Sequence, residues 1–164
     1  MKFIRSSEKK KIISSLEETY GITELNYLLI EAGKQRLRGF SGHLSKEEIV
    51  QLADIANVEV IGMYLISRKD GDSRLNFDAV PLFKNQITKR IIEINREQLD
   101  RWIRGHDLDI PAERGITVLK FEDYFVGIGK SNSEKIFNYV PKERKLKTPL
   151  PTQKPAPSIR PSTP

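Results

Sequence analysis

The sequence predicts an α+β protein with a mixed α/β domain at residues 1–86 and a small β-rich domain with one short helix at residues 87–147. In the first part, the order helix, two strands, helix, hairpin indicates one mixed sheet and excludes repeated βαβ crossovers. In the second part, a strand, a capped helix and three short strands follow one another. Residues 148–164, of which six are proline, are typical of a disordered tail.

Two helices are predicted in the first domain. The first begins at Ser7, and Gly21 follows its end, where a left-handed residue is needed. The second begins after Ser45, with Glu48 completing a capping box, and ends near Ala56. The apolar positions of the second helix are expected to face inward: Ile49, Leu52, Ala53 and Ala56.

The strands of this domain are bounded by glycine, proline and polar turns. Their predicted ranges are 25–30, 36–40, 58–67 and 74–80. Asp70-Gly71 is a hairpin signal between the last two. We expect Leu75, Phe77 and Ala79 to share one strand face.

In the second domain, Asn95 is predicted to cap a helix with Gln98 at the capping-box position, and Gly105 to end it. The helical spacing of Trp102 favours a core position over a stacking platform. Strands are predicted at residues 91–94, 116–121, 124–128 and 136–140. Tyr124 and Tyr139 on these strands could stack on bases, although packing at the core or its rim is the more common role.

The net charge of +6 lies wholly after residue 129. Eight of the 28 basic residues but only two of the 22 acidic residues fall there, so residues 1–129 are balanced. Such asymmetry indicates a polyanionic partner, with a solubilising tail as the alternative. The basic residues are Lys130, Lys135, Lys142, Arg144, Lys145, Lys147, Lys154 and Arg160.

Several classes of protein are disfavoured. The absence of cysteine excludes disulfides, thiolate zinc sites and cysteine nucleophiles. The longest apolar run, residues 58–66, is too short to span a bilayer, and no apolar stretch follows the basic N-terminus, so we expect a cytoplasmic protein without a membrane partner.

No motif predicts an enzyme, a metal site or a cofactor. The only histidines, His43 and His106, lie in different domains. Asp107 and Asp109 could be paired carboxylates, but capping a turn is the commoner role of such residues. The segment 127–130, Gly-Ile-Gly-Lys, lacks the spacing of a phosphate loop and the helix that should follow it.

Three short segments carry a family resemblance: Arg-Gly-His-Asp-Leu at 104–108, Val-Gly-Ile-Gly-Lys at 126–130 and Asn-Tyr-Val-Pro-Lys at 138–142. Together they resemble the PUA domain, in particular the PUA-like C-terminal module of Sun-type RNA cytosine-5 methyltransferases. The resemblance implies a β pseudo-barrel that binds RNA. The layout also resembles small ribosome-biogenesis factors of archaea and eukaryotes, which place an α/β domain before a PUA domain.

The resemblance and the charge pattern together predict an RNA-binding surface. Gly105 would allow the backbone to approach a phosphate or a base edge, and nearby cations would neutralise phosphates. The predicted contact residues are Arg104, Gly105, His106, Lys130, Lys135, Lys142, Arg144, Lys145 and Lys147. The turn 104–108 and the basic run 130–147 must share one face to form a single patch.

Plainer roles are open for some of these residues. Asp100 and Arg104, like Glu97 and Arg101, are spaced i, i+4 and can form surface ion pairs. His106 can be a turn residue with local hydrogen bonds.

The predicted function is non-catalytic binding of structured ribosomal or transfer RNA in RNA modification or ribosome biogenesis. The first domain lacks a glycine-rich turn for an adenosyl cofactor, and the sequence lacks a cysteine that could attack cytosine. The alternative is a protein-interaction accessory subunit of an RNA methyltransferase or of a ribosome-assembly complex.

Overall fold

The computed structural model describes residues 2–33, 35–69 and 72–151. The predicted turn at Asp70-Gly71 and the part of the predicted tail after residue 151 lie outside the described residues. Within the described ranges, two sheets and three α-helices form an α+β fold, as the sequence predicts.

The first sheet has five strands in the order β1-β2-β3-β4-β5. Every neighbouring pair is antiparallel, so the prediction of a mixed sheet is wrong for this part of the chain. Antiparallel neighbours can be joined without a crossover, so the two helices that lie between these strands in the chain are not βαβ connections. The elements are β1 (Lys2–Phe3), α1 (Ser6–Tyr20), β2 (Leu28–Ala32), β3 (Arg36–Phe40), α2 (Lys46–Ile55), β4 (Met63–Lys69) and β5 (Asp72–Leu75).

Local signals predict most of the helix ends, but α1 begins at Ser6, one residue before the predicted Ser7, and its N-cap residue Arg5 makes no side-chain capping bond. Gly21 follows α1 with φ 84° and donates its N–H to Glu17 O, as predicted. Ser45 and Glu48 form the predicted reciprocal capping box at the start of α2. The inward face predicted for α2 is mostly wrong, because the helix touches the core at one position: Ile49 is fully buried, while Leu52 is 41% exposed. Ala53 is half-buried and Ala56 is exposed.

The strand predicted at residues 74–80 ends after Leu75 and continues as a 3-10 helix, Phe77–Phe83. Ala79, Val80 and Phe83 are all buried in the first core. Neighbouring residues on a strand point to opposite faces, so this burial pattern requires a helical turn. Pro81 lies inside that turn instead of ending a strand.

The second sheet has the order β6-β7-β8-β9, with β6 parallel to β7 and the other pairs antiparallel. Its helix α3 begins with the predicted capping box of Asn95 and Gln98. A second 3-10 helix, Lys142–Arg144, follows β9. The elements are β6 (Ile91–Glu93), α3 (Arg96–Ile103), β7 (Gly115–Phe121), β8 (Tyr124–Ser131) and β9 (Ile136–Asn138).

The second sheet is packed on both faces. Leu119 and Ile136 belong to a core around Trp102 of α3, which is fully buried. Val118 and Ile128 belong instead to the core of the first sheet. The alternation of side chains along β7 and β8 therefore joins residues 2–86 and 87–151 through a shared core.

The first residues of the predicted tail lie against α3. Leu150 packs against the core around Trp102, and its N–H donates to Asp100 Oδ1 at 2.7 Å. Arg96 Nη2 donates to Pro151 O at 3.2 Å. These contacts place residues 150 and 151 within the folded unit.

Candidate nucleic-acid interface

The turn after α3 brings Gly105 against Lys145. Gly105 has φ 93° and donates its N–H to Trp102 O at 2.9 Å. A Cβ on Gly105 would lie 2.6 Å from Lys145 Nζ, so the lysine side chain occupies the space that only glycine leaves. The backbone bond from Leu146 N–H to Ile103 O, at 2.9 Å, holds this segment in place.

Asn138 fixes the turn to β9. Its Nδ2 donates to Trp102 O at 2.7 Å and to His106 O at 3.1 Å. Its Oδ1 accepts from Val140 N–H, and its own N–H donates to Asp107 Oδ1, both at 2.9 Å. Asn138 thus uses both its side chain and its backbone to position residues 102–108.

Three of the residues predicted to contact RNA form ion pairs with carboxylates of the protein: Arg104, Lys135 and Arg144. Arg104 pairs with Asp100 at 2.6 Å, the i, i+4 pair that the sequence indicates. Lys135 Nζ lies 3.3 Å from Asp107 and 5.0 Å from the centroid of the Phe137 ring.

Arg144 pairs with Asp78 at 3.1 Å and so ties the basic run to the first 3-10 helix. Arg101 pairs with Asp109 at 3.7 Å, not with Glu97 as the spacing suggested. Within the described ranges, Lys142 and Lys147 are exposed and have no ion pair.

Lys130 lies on the opposite face of the sheet from the turn. In β8, Gly129 packs against Trp102 and Ile136, and therefore faces α3. Lys130, the next residue, faces the first unit. The nine predicted residues therefore do not form one patch: the turn and Lys145 lie on the α3 side, whereas Lys130 faces the other way.

On its own face, Lys130 lies in a groove between the two halves of the molecule. Three adjoining cavities, of about 410, 160 and 380 Å³, form this groove. Arg74 and Tyr139 line both the first and the second cavity, and Tyr64 and Asn76 line both the second and the third. We call the three together the inter-unit groove.

The inter-unit groove is strongly basic. Among the described residues that line it, only Glu18 and Asp78 carry a carboxylate. Its cations come from both halves of the chain: Arg38, Arg74, Arg90, Arg114, Lys130 and Arg144.

Three of these cations are held by other groups of the protein. Arg38 donates to the carbonyls of Ile61 and Gly62, and Arg90 pairs with Glu113 at 2.7 Å. Arg144 is paired with Asp78, as described above.

Among the residues that the structure describes, no carboxylate lies within 4.0 Å of the cationic groups of Arg74, Arg114 or Lys130. These three cations leave the groove with positive charge that the protein does not neutralise, which favours an anionic ligand.

Two tyrosines of the groove each have an arginine guanidinium over the ring. Arg74 Cζ lies 4.7 Å from the centroid of Tyr139, and Arg36 Cζ lies 5.4 Å from that of Tyr64. Arginine planes and aromatic rings are surfaces on which unpaired bases stack.

The backbone at the start of β7 leaves room for the Arg90 side chain. Gly115 has φ 122°, and a Cβ there would lie 2.6 Å from Arg90 Nη1. Arg90 itself has φ 55°, an uncommon value for a residue with a side chain. Its guanidinium donates to Arg114 O at 3.1 Å, and so ties Arg90 to the next cation of the groove.

The glycines of β8 serve packing. A Cβ on Gly127, which has φ 125°, would lie 2.7 Å from Phe77 Cε2. A Cβ on Gly129 would lie 2.5 Å from Ile136 Cγ2 and 2.9 Å from Trp102 Cη2. The indole Nε1–H of Trp102 donates to Val126 O at 2.9 Å. These contacts confirm the core position predicted for Trp102.

The acidic residues near the turn each pair with a neighbouring group. Asp107 accepts from Asn138 and pairs with Lys135, while Asp109 pairs with Arg101. Within residues 2–33, 35–69 and 72–151, no three His, Cys, Asp or Glu side chains are grouped as metal ligands would be. No helix in the same ranges combines the length and the apolar character needed to cross a membrane.

Comparison with known proteins agrees with the geometry. Residues 89–146 match the family model described as the methyltransferase RsmF PUA domain. The match includes the turn, the glycines of β8 and the Asn138 segment, on which the predicted resemblance rests. No curated protein matches the chain. Residues 89–146 are therefore a PUA-like domain, an RNA-binding module of the type that RsmF methyltransferases carry.

Proposed function

We propose that the protein is a non-catalytic, cytoplasmic RNA-binding protein that recognises structured ribosomal or transfer RNA during RNA modification or ribosome biogenesis. The observation that carries the proposal is that one cavity brings Arg74 of the first sheet together with Arg114 and Lys130 of the PUA-like domain. All three line the inter-unit groove, and no carboxylate of the described chain neutralises them. A phosphate backbone supplies the missing negative charge.

Residues of both halves of the chain line the groove, so both halves take part in the proposed binding. Phosphates would lie along its cations, while the tyrosine–arginine stacks would receive unpaired bases. The exposed Lys142 and Lys147, on the segment after β9, would extend the contact along the RNA backbone.

Titration of labelled transfer RNA and ribosomal RNA fragments at several salt concentrations tests the proposal. Because the groove cations and the exposed Lys142 and Lys147 would each displace counterions from the RNA, the plot of log affinity against log salt should have a slope of about −3 or steeper. Arg114→Gln should make that slope shallower by about one. Binding without any dependence on salt would contradict the proposal.

Lys84→Gln is the matched control for that titration. Lys84 is exposed, lines none of the three cavities and has no ion pair within the described residues. Its replacement removes the same charge from the protein, so an equal loss of slope would mean that net charge, not the groove, drives binding.

A second candidate function rests on the exposed apolar side chains around α2. Ile55 is 85% and Val60 65% exposed, and Leu44, Val50 and Leu52 are each more than 40% exposed. Such a surface suits an accessory subunit that holds a protein partner, for example an RNA methyltransferase or a ribosome-assembly protein.

A pull-down from nuclease-treated native lysate distinguishes this role. A partner that is retained by the wild type and lost by Ile55→Glu would support it. If nuclease removes every partner, RNA binding alone explains the associations.

A further inference from the structure

The largest cavity of the inter-unit groove has the size and the lining of a site for a single nucleotide. Its volume of about 410 Å³ lies within the range of small-ligand sites and is too small to enclose a duplex. It lies between α1 and β5 on one side and the loop before β7, β8 and Tyr139 on the other.

One part of this cavity is suited to a phosphate group. Arg114 and Lys130 both line it, both are exposed, and neither has a hydrogen bond or an ion pair from its side chain within the described chain. Arg90 also lines the cavity, with its guanidinium held by Glu113 and by the carbonyl of Arg114. A guanidinium and an ammonium without carboxylate partners are the groups that bind phosphate in proteins.

Another part is suited to a base and a ribose. The Arg74 guanidinium over the Tyr139 ring is a planar surface for stacking. Ser15, Thr19 and Glu18 of α1 also line the cavity and supply hydroxyl and carboxylate groups for ribose hydroxyls.

From this arrangement we infer that the cavity receives one unpaired nucleotide of the bound RNA, with its phosphate between Arg114 and Lys130 and its base against the Arg74–Tyr139 pair. The inference rests on the proposed RNA binding and adds a defined subsite to it. A nucleotide within a duplex cannot enter such a space, so the site selects single-stranded ends or bulges.

The test uses the full chain and two labelled RNA hairpins that differ only in a three-nucleotide 3′ overhang. The overhang hairpin should bind about tenfold more tightly than the blunt one, the effect expected of one additional charge-assisted contact. Arg114→Gln and Lys130→Gln should each remove most of that preference, whereas Lys84→Gln should keep it. Circular dichroism of each variant confirms that the fold is retained.

A second arm identifies the source of the nucleotide. Adenosine 5′-monophosphate, titrated into isotope-labelled protein, should shift the amide resonances of Ser73 and Gly115, and adenosine without phosphate should shift them much less. Equal affinity for the two hairpins with the salt dependence intact would overturn the nucleotide site and leave the proposed function standing. Shifts with the mononucleotide but no binding of either hairpin would overturn both, because the ligand would then be a free nucleotide.

Discussion

The guanidinium of Arg74 lies over the ring of Tyr139, with 4.7 Å between Arg74 Cζ and the ring centroid. Arg74 belongs to β5 of the first sheet, and Tyr139 directly follows β9 of the second. One cation–aromatic contact therefore bridges the two halves of the molecule at the point where two cavities of the groove meet.

Tyr139→Ala should weaken RNA binding by about 1–3 kcal/mol, because it removes the ring from the proposed stacking surface. Tyr139→Phe keeps the ring and should bind nearly as well as the wild type. Fluorescence anisotropy at fixed salt measures both. If the two variants lose affinity equally, the hydroxyl and not the ring carries the contact, and the stacking role is wrong.

Asn138→Ala should lower the free energy of unfolding by about 1–3 kcal/mol, because it leaves backbone groups of Trp102, His106 and Val140 without their partner. Urea denaturation measures the change. Asn85→Ala, at an exposed position without side-chain hydrogen bonds in the described structure, is the control and should be nearly neutral. Equal stability of the two variants would show that Asn138 does not hold the turn.

Gly129→Ala should also destabilise the fold, by about 1–3 kcal/mol, because the added methyl group meets Ile136, the carbonyl of Phe137 and Trp102 at 2.5–2.9 Å. Thermal unfolding and tryptophan fluorescence report both the loss of stability and the displaced indole. A variant with wild-type stability would contradict the packing role of this glycine.

The stability contributed by Asp100 should depend on pH. The hydrogen bond from Leu150 N–H, and then Arg104 beside it, lower the pKa of Asp100 below its ordinary value, although desolvation opposes the shift. A carboxyl group with a lowered folded pKa stabilises the protein above its ordinary pKa of about 3.9, and that contribution is lost as pH falls through the folded value.

Asp100→Asn should therefore be less stable than the wild type at pH 7, and the difference should shrink below about pH 4. Urea denaturation at pH 7, 4 and 3 follows it, with the exposed Asp123→Asn as the control. A difference that stays constant over this range would show that ionisation of Asp100 does not contribute.

Local sequence signals predicted the helix ends because caps depend on a few neighbouring residues. Ser45 with Glu48, Asn95 with Gln98, and the left-handed Gly21 need no information from elsewhere in the chain. Which side chains of a helix are buried depends instead on how the helix packs. Leu52 lies three residues after Ile49, the spacing of one helix face, yet it is exposed because α2 meets the core near Ile49.

The groove could not be predicted by counting charge along the chain. Arg74, Arg90 and Arg114 come from residues 1–129, where basic and acidic side chains balance, so none of them stood out. Folding places these arginines beside Lys130 in one cavity, and of the three only Arg90 has a carboxylate partner among the described residues, Glu113. Charge counting also singled out a residue with a packing role: Lys145 was predicted to contact RNA, but its side chain packs against Gly105 of the same domain.

Ultraviolet crosslinking of transfer or ribosomal RNA to the full chain, followed by mass spectrometry of the peptide–nucleotide adducts, tests the central claim most directly. RNA bound in the inter-unit groove should give adducts at Tyr139 or Tyr64, which both line it. Adducts confined to residues outside the groove, such as the exposed Tyr124, would contradict the account.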